Sequence, residues 1–247
     1  MNRFYINNFP IVDLYKKKSL KSEVVTQIIY GQTFKKIYNF SKWIKIKIKD
    51  DNYTGYVKKK NFSPYLKLTH KVSAISANIY KNPNFKKKIA RLPYMSRIKI
   101  EKKVSKFSCF QNKWIETKNI KPLNYKNKNI FNDIKKFKGI KYKWGGKTFK
   151  GIDCSALIQV CLNFNNRFCP RDTSQQVKFF KKNISLKNIK KNDIIYWKGH
   201  VALAISSKKL IHAYGPRKKT LIMGIQKTIS LIKKTTNLKI TSIKRIL

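Results

Sequence analysis

The stretch Trp43-Ile44-Lys45-Ile46-Lys47-Ile48-Lys49 alternates strictly between apolar and cationic residues. That is the period of a half-buried strand, so Ile44, Ile46 and Ile48 are expected on a core face with the lysines in water. Asp50-Asp51-Asn52 then turns the chain, and Tyr53-Thr54-Gly55-Tyr56-Val57 reads as the return strand of a hairpin. Short strands of this kind fill residues 12 to 65, the pattern of a small barrel. The pattern then repeats. Tyr56-Val57-Lys58-Lys59-Lys60-Asn61-Phe62-Ser63-Pro64 lines up with Trp114-Ile115-Glu116-Thr117-Lys118-Asn119-Ile120-Lys121-Pro122 at an offset of 58, and Leu14-Tyr15-Lys16 with Ile79-Tyr80-Lys81 at an offset of 65. The second copy is thus shorter by seven residues (65 minus 58), with the deletion expected to include the Asp50 to Tyr53 tip. Tyr65 to Lys71 and Asn124 to Asn129 read as linkers, with His70 a solvated residue in the first.

Past residue 150 the period changes. Leu157, Val160, Cys161 and Phe164 fall at the three-and-four spacing of one buried helix face, which predicts a helix beginning near Asp153. Val201-Ala202-Leu203-Ala204-Ile205 and Leu210-Ile211-His212-Ala213-Tyr214 read as antiparallel strands joined through Ser206-Ser207-Lys208. A three-residue loop sets His200 opposite Tyr214 and His212 opposite Ala202, placing both imidazoles on one face roughly 7 Å apart. A two-residue loop would put them on opposite faces; the odd length is expected. Residues 217 to 247 show Lys-rich alternation compatible with strands.

These patterns bring Cys154 to the start of a helix, where unpaired amides and the positive end of the dipole favour thiolate. A buried small hydrophobe is the other fate of a lone cysteine. His200 is the candidate general base to Cys154, and His212 the group that orients and polarises it through a ring-to-ring hydrogen bond.

Composition adds a competing picture: 58 Lys and Arg against 10 Asp and Glu give a formal charge of +48. Such a number suggests nucleic acid. The lysines are spread along the whole chain, however, as a composition bias would spread them, so the expectation is weak, salt-sensitive affinity for polyanions and no specific nucleic-acid partner. Four cysteines at 109, 154, 161 and 169 show no paired framework and no metal-ligand spacing, so no cofactor and no metal are expected. The beginning, Met1 to Pro10, lacks an apolar run and no later stretch reads as a membrane span, giving a cytoplasmic expectation with no membrane partner.

Tyr142-Lys143-Trp144-Gly145-Gly146, Gly151-Ile152-Asp153-Cys154-Ser155-Ala156-Leu157, Cys169-Pro170-Arg171-Asp172-Thr173-Ser174-Gln175-Gln176, Gly199-His200-Val201-Ala202 and Leu210-Ile211-His212-Ala213 together resemble the NlpC/P60 cysteine peptidases over about half the chain. The two repeats resemble bacterial SH3 domains. The resemblance implies an α+β chain: two small SH3-like β-barrels, 1–65 with an N-terminal extension and 66–125, followed by a circularly permuted papain-like catalytic domain at 126–247. It also implies hydrolysis of the bond between γ-D-Glu and a diamino acid in short murein peptides bearing a free N-terminal L-Ala, through a thioester on Cys154. Alternatives are hydrolysis of intact peptidoglycan, another cysteine amidase or acyltransferase, and a non-catalytic SH3-type binding module.

Family roles transfer to Asp153, Ser155, Asp172 and Thr173 as contacts to the substrate amine and γ-glutamyl group, with Thr173 where the family usually has serine. Asp153 and Asp172 also read as helix N-caps. Tyr142 is placed near the scissile carbonyl, where it and the Cys154 amide would stabilise the oxyanion, and Trp144 in the core. Tyr53 matches the tyrosine that closes over the substrate amine from the first barrel; packing on a hairpin neighbour is its other reading. Glu23 is a further amine candidate.

Overall fold

The computed structural model describes residues 4–246. The chain forms two compact units, Met1–Lys126 with Phe164–Asn166, and Asn127–Asn163 with Arg167–Leu247. The break after Lys126 falls within the expected second linker.

The first unit opens with strands β1 (Phe4–Ile6), β2 (Ile11–Tyr15), β3 (Val24–Ile29), β4 (Thr33–Asn39), β5 (Trp43–Ile48), β6 (Thr54–Lys58) and β7 (Ser63–Pro64), in the sheet order β3-β2-β6-β5-β4-β1-β7. Ile44, Ile46 and Ile48 enter its core with Leu14, Ile28, Phe34 and Val57, as the alternation requires. The hairpin turns through Asn52 at φ +60°, with Asp51 Oδ1 accepting the Tyr53 N–H at 3.0 Å.

The second barrel comprises β8 (His70–Val72), β9 (Ser76–Tyr80), β10 (Lys88–Pro93), β11 (Arg97–Ile98), β12 (Lys102–Val104), β13 (Phe107–Phe110), β14 (Lys113–Glu116) and β15 (Ile120–Pro122). Its registers repeat those of the first. Tyr15 pairs with Tyr56 across β2 and β6, and Tyr80 with Trp114 across β9 and β14, the residues that the two offsets equate. Gln111 and Asn112, both at positive φ, make a two-residue turn in place of the longer Asp50 to Tyr53 tip.

The first linker is shorter than the sequence suggests. His70 and Lys71 belong to β8, which is paired on both sides, with β11 and β15. His70 is half-buried, its Nδ1 2.8 Å from Thr69 Oγ1. Lys71 is buried, its ammonium donating to the Tyr125 carbonyl at 2.6 Å, and burial pulls its pKa down to about 8. The turn between β3 and β4 locks the barrels together: Gly31 sits at φ +78°, and a Cβ there would lie 2.0 Å from the Arg97 carbonyl oxygen. Beside it Arg97 pairs with Asp50 at 2.9 Å.

The second unit holds β16 (Lys147–Thr148), β17 (Gly151–Ile152), α1 (Cys154–Phe164), α2 (Thr173–Phe179), β18 (Lys182–Asn183), β19 (Ile194–Trp197), β20 (His200–Ala204), β21 (Lys209–Tyr214), β22 (Lys219–Gly224), α3 (Ile225–Thr236) and β23 (Ile240–Arg245). Its main sheet is antiparallel in the order β18-β23-β19-β20-β21-β22. The segment from 219 to 245 therefore supplies β22 at one end of the order and β23 between β18 and β19, and adds α3, whose Ile225 and Ile232 pack on Ile195, Ala202 and Leu210. Helix α1 is buried on every side, not on one face alone. Among the described residues no helix is long and apolar enough to cross a membrane.

Candidate active site

Leu203 pairs with Ile211 and Ala204 with Leu210, so Ser206, Ser207 and Lys208 form a three-residue loop and His200 and His212 share one face. His200 Nε2 lies 3.0 Å from His212 Nδ1. His212 is fully buried and stacks on Tyr214 at 5.0 Å between ring centroids, and His200 lies against Trp197 and Tyr214. The shared proton fixes one nitrogen of His200 and leaves Nδ1 as its exchangeable edge. Burial holds both imidazoles below their ordinary range, and His212 lowers His200 further.

Depressed values mean that unfolding takes up protons. The stability this pair contributes is present above about pH 6.5 and is lost as pH falls toward about 4, the value for His212. The expected NMR result is that the imidazole carbon-bound protons of His200 and His212 stay unshifted from about pH 8 to about pH 5. Titration near 6.5 would contradict a buried neutral pair.

Helix α1 starts at Cys154 because Asp153 caps it. Asp153 Oδ1 accepts the Ala156 N–H at 2.8 Å and Oδ2 the Gly145 N–H at 3.0 Å. Arg171 closes the same carboxylate from the other side, Nη1 to Oδ1 at 3.0 Å and Nη2 to Oδ2 at 2.5 Å. The Ser155 hydroxyl donates to Asp153 Oδ1 at 3.2 Å and accepts from Arg171 Nη1 at 2.9 Å. Gln176 ties α2 to this knot through its amide, which donates to the carbonyls of Ser155 and Pro170. The expectation that Asp153 turns away to hold an ammonium thus meets a carboxylate with both oxygens engaged in its own loop.

Cys154 is buried, with the Val201 amide and the Thr173 hydroxyl as hydrogen-bond partners of its sulfur. Thr173 Oγ1 lies at 4.0 Å. Val201 follows His200 in the chain, so the start of β20 rests against the Cys154 sulfur. Burial, followed by the Asp153 carboxylate, pushes the thiol up to about 11, against the opposing pull of Val201, Thr173 and Arg171. Burial and the Asp153 charge thus act toward the neutral thiol, against the helix-dipole expectation of a thiolate.

Tyr142 stands beside Cys154 and Asp153, and burial with those two acids raises its phenol above the ordinary range. It stays a protonated donor. Its ring packs on Gly215, where a Cβ would approach Cε1 to 3.4 Å. Trp144, expected in the core, is 58% exposed. Asp172 occupies the N-cap position of α2 with extended backbone; its carbonyl accepts the Gln175 and Gln176 amides, and its side chain makes no cap hydrogen bond. Tyr53 and Glu23 lie in the other unit; Tyr53 is half-buried at the β5–β6 tip, and Glu23 pairs with Lys16 at 3.3 Å. Among the described residues no three His, Cys, Asp or Glu side chains gather as a metal site needs.

Arg171 and Gln176 belong to the motif Cys169 to Gln176, and sequence alone assigns them no role. The signal available was scarcity: with 10 acids in the chain, an arginine in a motif is a candidate partner for a buried one.

Residues 139–236 match the NlpC/P60 family and residues 12–63 the bacterial SH3 domain. Dipeptidyl-peptidase 6 of Lysinibacillus sphaericus is 36% identical over 72 residues, 29% of this chain and 27% of that protein. The gamma-D-glutamyl-L-lysine dipeptidyl-peptidase of Bacillus subtilis is 31% identical over 101 residues, 38% of this chain and 34% of that one. The chain thus spans about a third of the length of these curated relatives. A crystal structure of an NlpC/P60 family protein from Bacillus cereus superimposes with a TM-score of 0.84, covering 99% of both chains at 17% identity, a likeness of fold.

Proposed function

Because this chain carries an NlpC/P60 domain and a bacterial SH3 domain, we propose that it is a cysteine peptidase hydrolysing the bond between γ-D-Glu and a diamino acid in short murein peptides with a free N-terminal L-Ala. The observation that carries this reading is Cys154 at the α1 N-terminus against β20, the strand that begins with His200, whose imidazole meets that of His212 on β21.

The resting state is neutral thiol and neutral imidazole, so the proton moves only when a carbonyl is in place. Sγ gives its proton to His200 and bonds to the carbonyl carbon, while the oxyanion takes hydrogen bonds from the Cys154 amide and the Tyr142 phenol. His212 Nδ1 accepts from His200 Nε2 and steadies the imidazolium. His200 then protonates the departing amine, leaving the thioester, and next activates the water that releases the acid.

On the substrate side, Thr173 and Asp172 at the head of α2 serve as polar contacts, and Asp153 and Ser155 act from the Arg171 knot. The four cysteines, none of them in a disulfide among the described residues, suit a reducing compartment such as the cytoplasm, where peptide recycling would take place.

The test is mass spectrometry after incubation with L-Ala-γ-D-Glu-meso-diaminopimelate and its N-acetylated twin. Free diaminopimelate is expected from the unblocked peptide only. Equal cleavage of both would remove the amine contacts and point to intact wall; cleavage of neither would remove this substrate.

A further inference from the structure

The outer face of the first barrel carries a line of side chains that peptide hydrolysis leaves unused. Tyr38 on β4 is paired with Lys45 on β5, Lys45 with Tyr56 on β6, and Tyr56 with Tyr15 on β2. Four positions thus align across four neighbouring strands, a span of roughly 14 Å. Two more rings widen the line: Phe40 lies 6.4 Å from Tyr38 and 6.1 Å from Tyr56, and Trp43 lies 5.6 Å from Tyr15, centroid to centroid. Amines stand between the rings. Lys45 Nζ is 5.9 Å from the Tyr38 ring and 5.7 Å from the Tyr56 ring, and Lys18 Nζ is 4.1 Å from that of Phe40.

The repeat supplies an internal comparison. In the second barrel the same line runs Tyr80, Trp114, Cys109, Lys102. There Tyr80 is 2% exposed, beneath Phe85 and Phe107. The second barrel thus covers the tyrosine of its line, leaves Trp114 half-buried and has Lys102 where the first has Tyr38; in the first, Tyr38 is 60% exposed and Tyr15, Phe40, Trp43 and Tyr56 are half-buried.

We propose that this line is a platform for single-stranded nucleic acid, bound without regard to base sequence. Flat bases stack on rings that face water, and a phosphate between successive bases meets an amine between successive rings. A neutral sugar chain could stack on the rings but would leave Lys45 and Lys18 without counter-charge, and a small anion offers no flat face. Two acids lie near the line: Asp13, whose charge reaches Tyr15, accepts from Gln27 at 2.7 Å, and Glu23 is paired with Lys16. The formal charge of +48 draws any polyanion to the chain; the aromatic line gives that attraction the focus that the spread lysines lack.

The experiment is fluorescence anisotropy of a labelled thymidine oligomer of about ten nucleotides with the full chain. Tyr38→Ala is expected to weaken binding roughly tenfold, Tyr38→Phe to keep it, and Lys45→Gln to lower the slope of affinity against salt by about one. The double variant Lys86→Gln/Lys87→Gln, on an exposed loop of the second barrel, is expected to change affinity less than twofold. Thermal unfolding checks that each variant is folded, and peptide hydrolysis by Tyr38→Ala is expected at the wild-type rate, which keeps this test separate from that of the peptidase reading. The proposal is overturned if Tyr38→Ala binds as wild type does, if the Lys86/Lys87 double variant weakens binding as much as Tyr38→Ala, or if inorganic polyphosphate of equal charge displaces the oligomer as well as unlabelled thymidine oligomer does.

Discussion

Replacing Cys154 with alanine is expected to lower hydrolysis of L-Ala-γ-D-Glu-meso-diaminopimelate by at least about 10³-fold, with the unfolding midpoint close to wild type. In the proposed mechanism the sulfur forms the thioester, whereas the packing of α1 rests on Leu157, Val160, Cys161 and Phe164 and its cap on Asp153. Alkylation separates this role from that of an ordinary buried thiol. With the thiol pushed up to about 11, on the order of 10⁻⁴ of it is thiolate at neutral pH. Iodoacetamide should therefore react slowly with Cys154 in the free protein, and the rate should climb about tenfold per pH unit until the thiol ionises. A fast, pH-independent reaction near neutrality would mean a resting thiolate and would reverse the order of proton transfer given above. Retention of hydrolysis by Cys154→Ala would remove the thioester altogether.

The catalytic geometry was legible because it depends on short-range periodicity. Two strands of period two and an odd loop place His200 and His212 on one face whatever surrounds them, and the alternation of Ile44, Ile46 and Ile48 decides their burial in the same way. The direction in which the Cys154 thiol is pushed was not legible. A helix terminus is a local feature, but the burial of Cys154 is set by segments distant in sequence, and the nearest charge, Asp153, acts against the thiolate.

Lys71 misled for a similar reason. A lysine in a polar stretch reads as solvated, and only the fold supplies the carbonyl that accepts its ammonium. Yet the repeat held the missing signal. Tyr5 pairs with Pro64 and His70 with Pro122, which are the offsets of 65 and 58 again, so extending the repeat back to β1 places His70 and Lys71 in a strand. Helix α3 was hidden by its lysines, although Ile225, Ile229 and Ile232 follow helical spacing.

Arg171→Leu is expected to destabilise the protein by about 3–5 kcal/mol in urea unfolding. Arg171 is 1% exposed and Asp153 5%, so the change leaves a carboxylate in a dry site with the Gly145 and Ala156 amides and the Ser155 hydroxyl for compensation. Arg171→Lys should recover only part of the loss, because an ammonium cannot bridge both oxygens as the guanidinium does. Pairing Arg171→Leu with Asp153→Asn should recover more, since the buried charge is gone and an asparagine can still cap α1. The two groups also act on the sulfur with opposite signs: Asp153 raises the Cys154 thiol and Arg171 lowers it. In folded Arg171→Leu, alkylation of Cys154 should therefore be slower than in wild type at the same pH, and in Asp153→Asn faster. A loss below about 1 kcal/mol together with unchanged alkylation would show that the pair neither holds the loop nor sets the nucleophile. Loss of stability with unchanged alkylation would confine it to holding the loop, and the neutral resting thiol would then rest on burial alone.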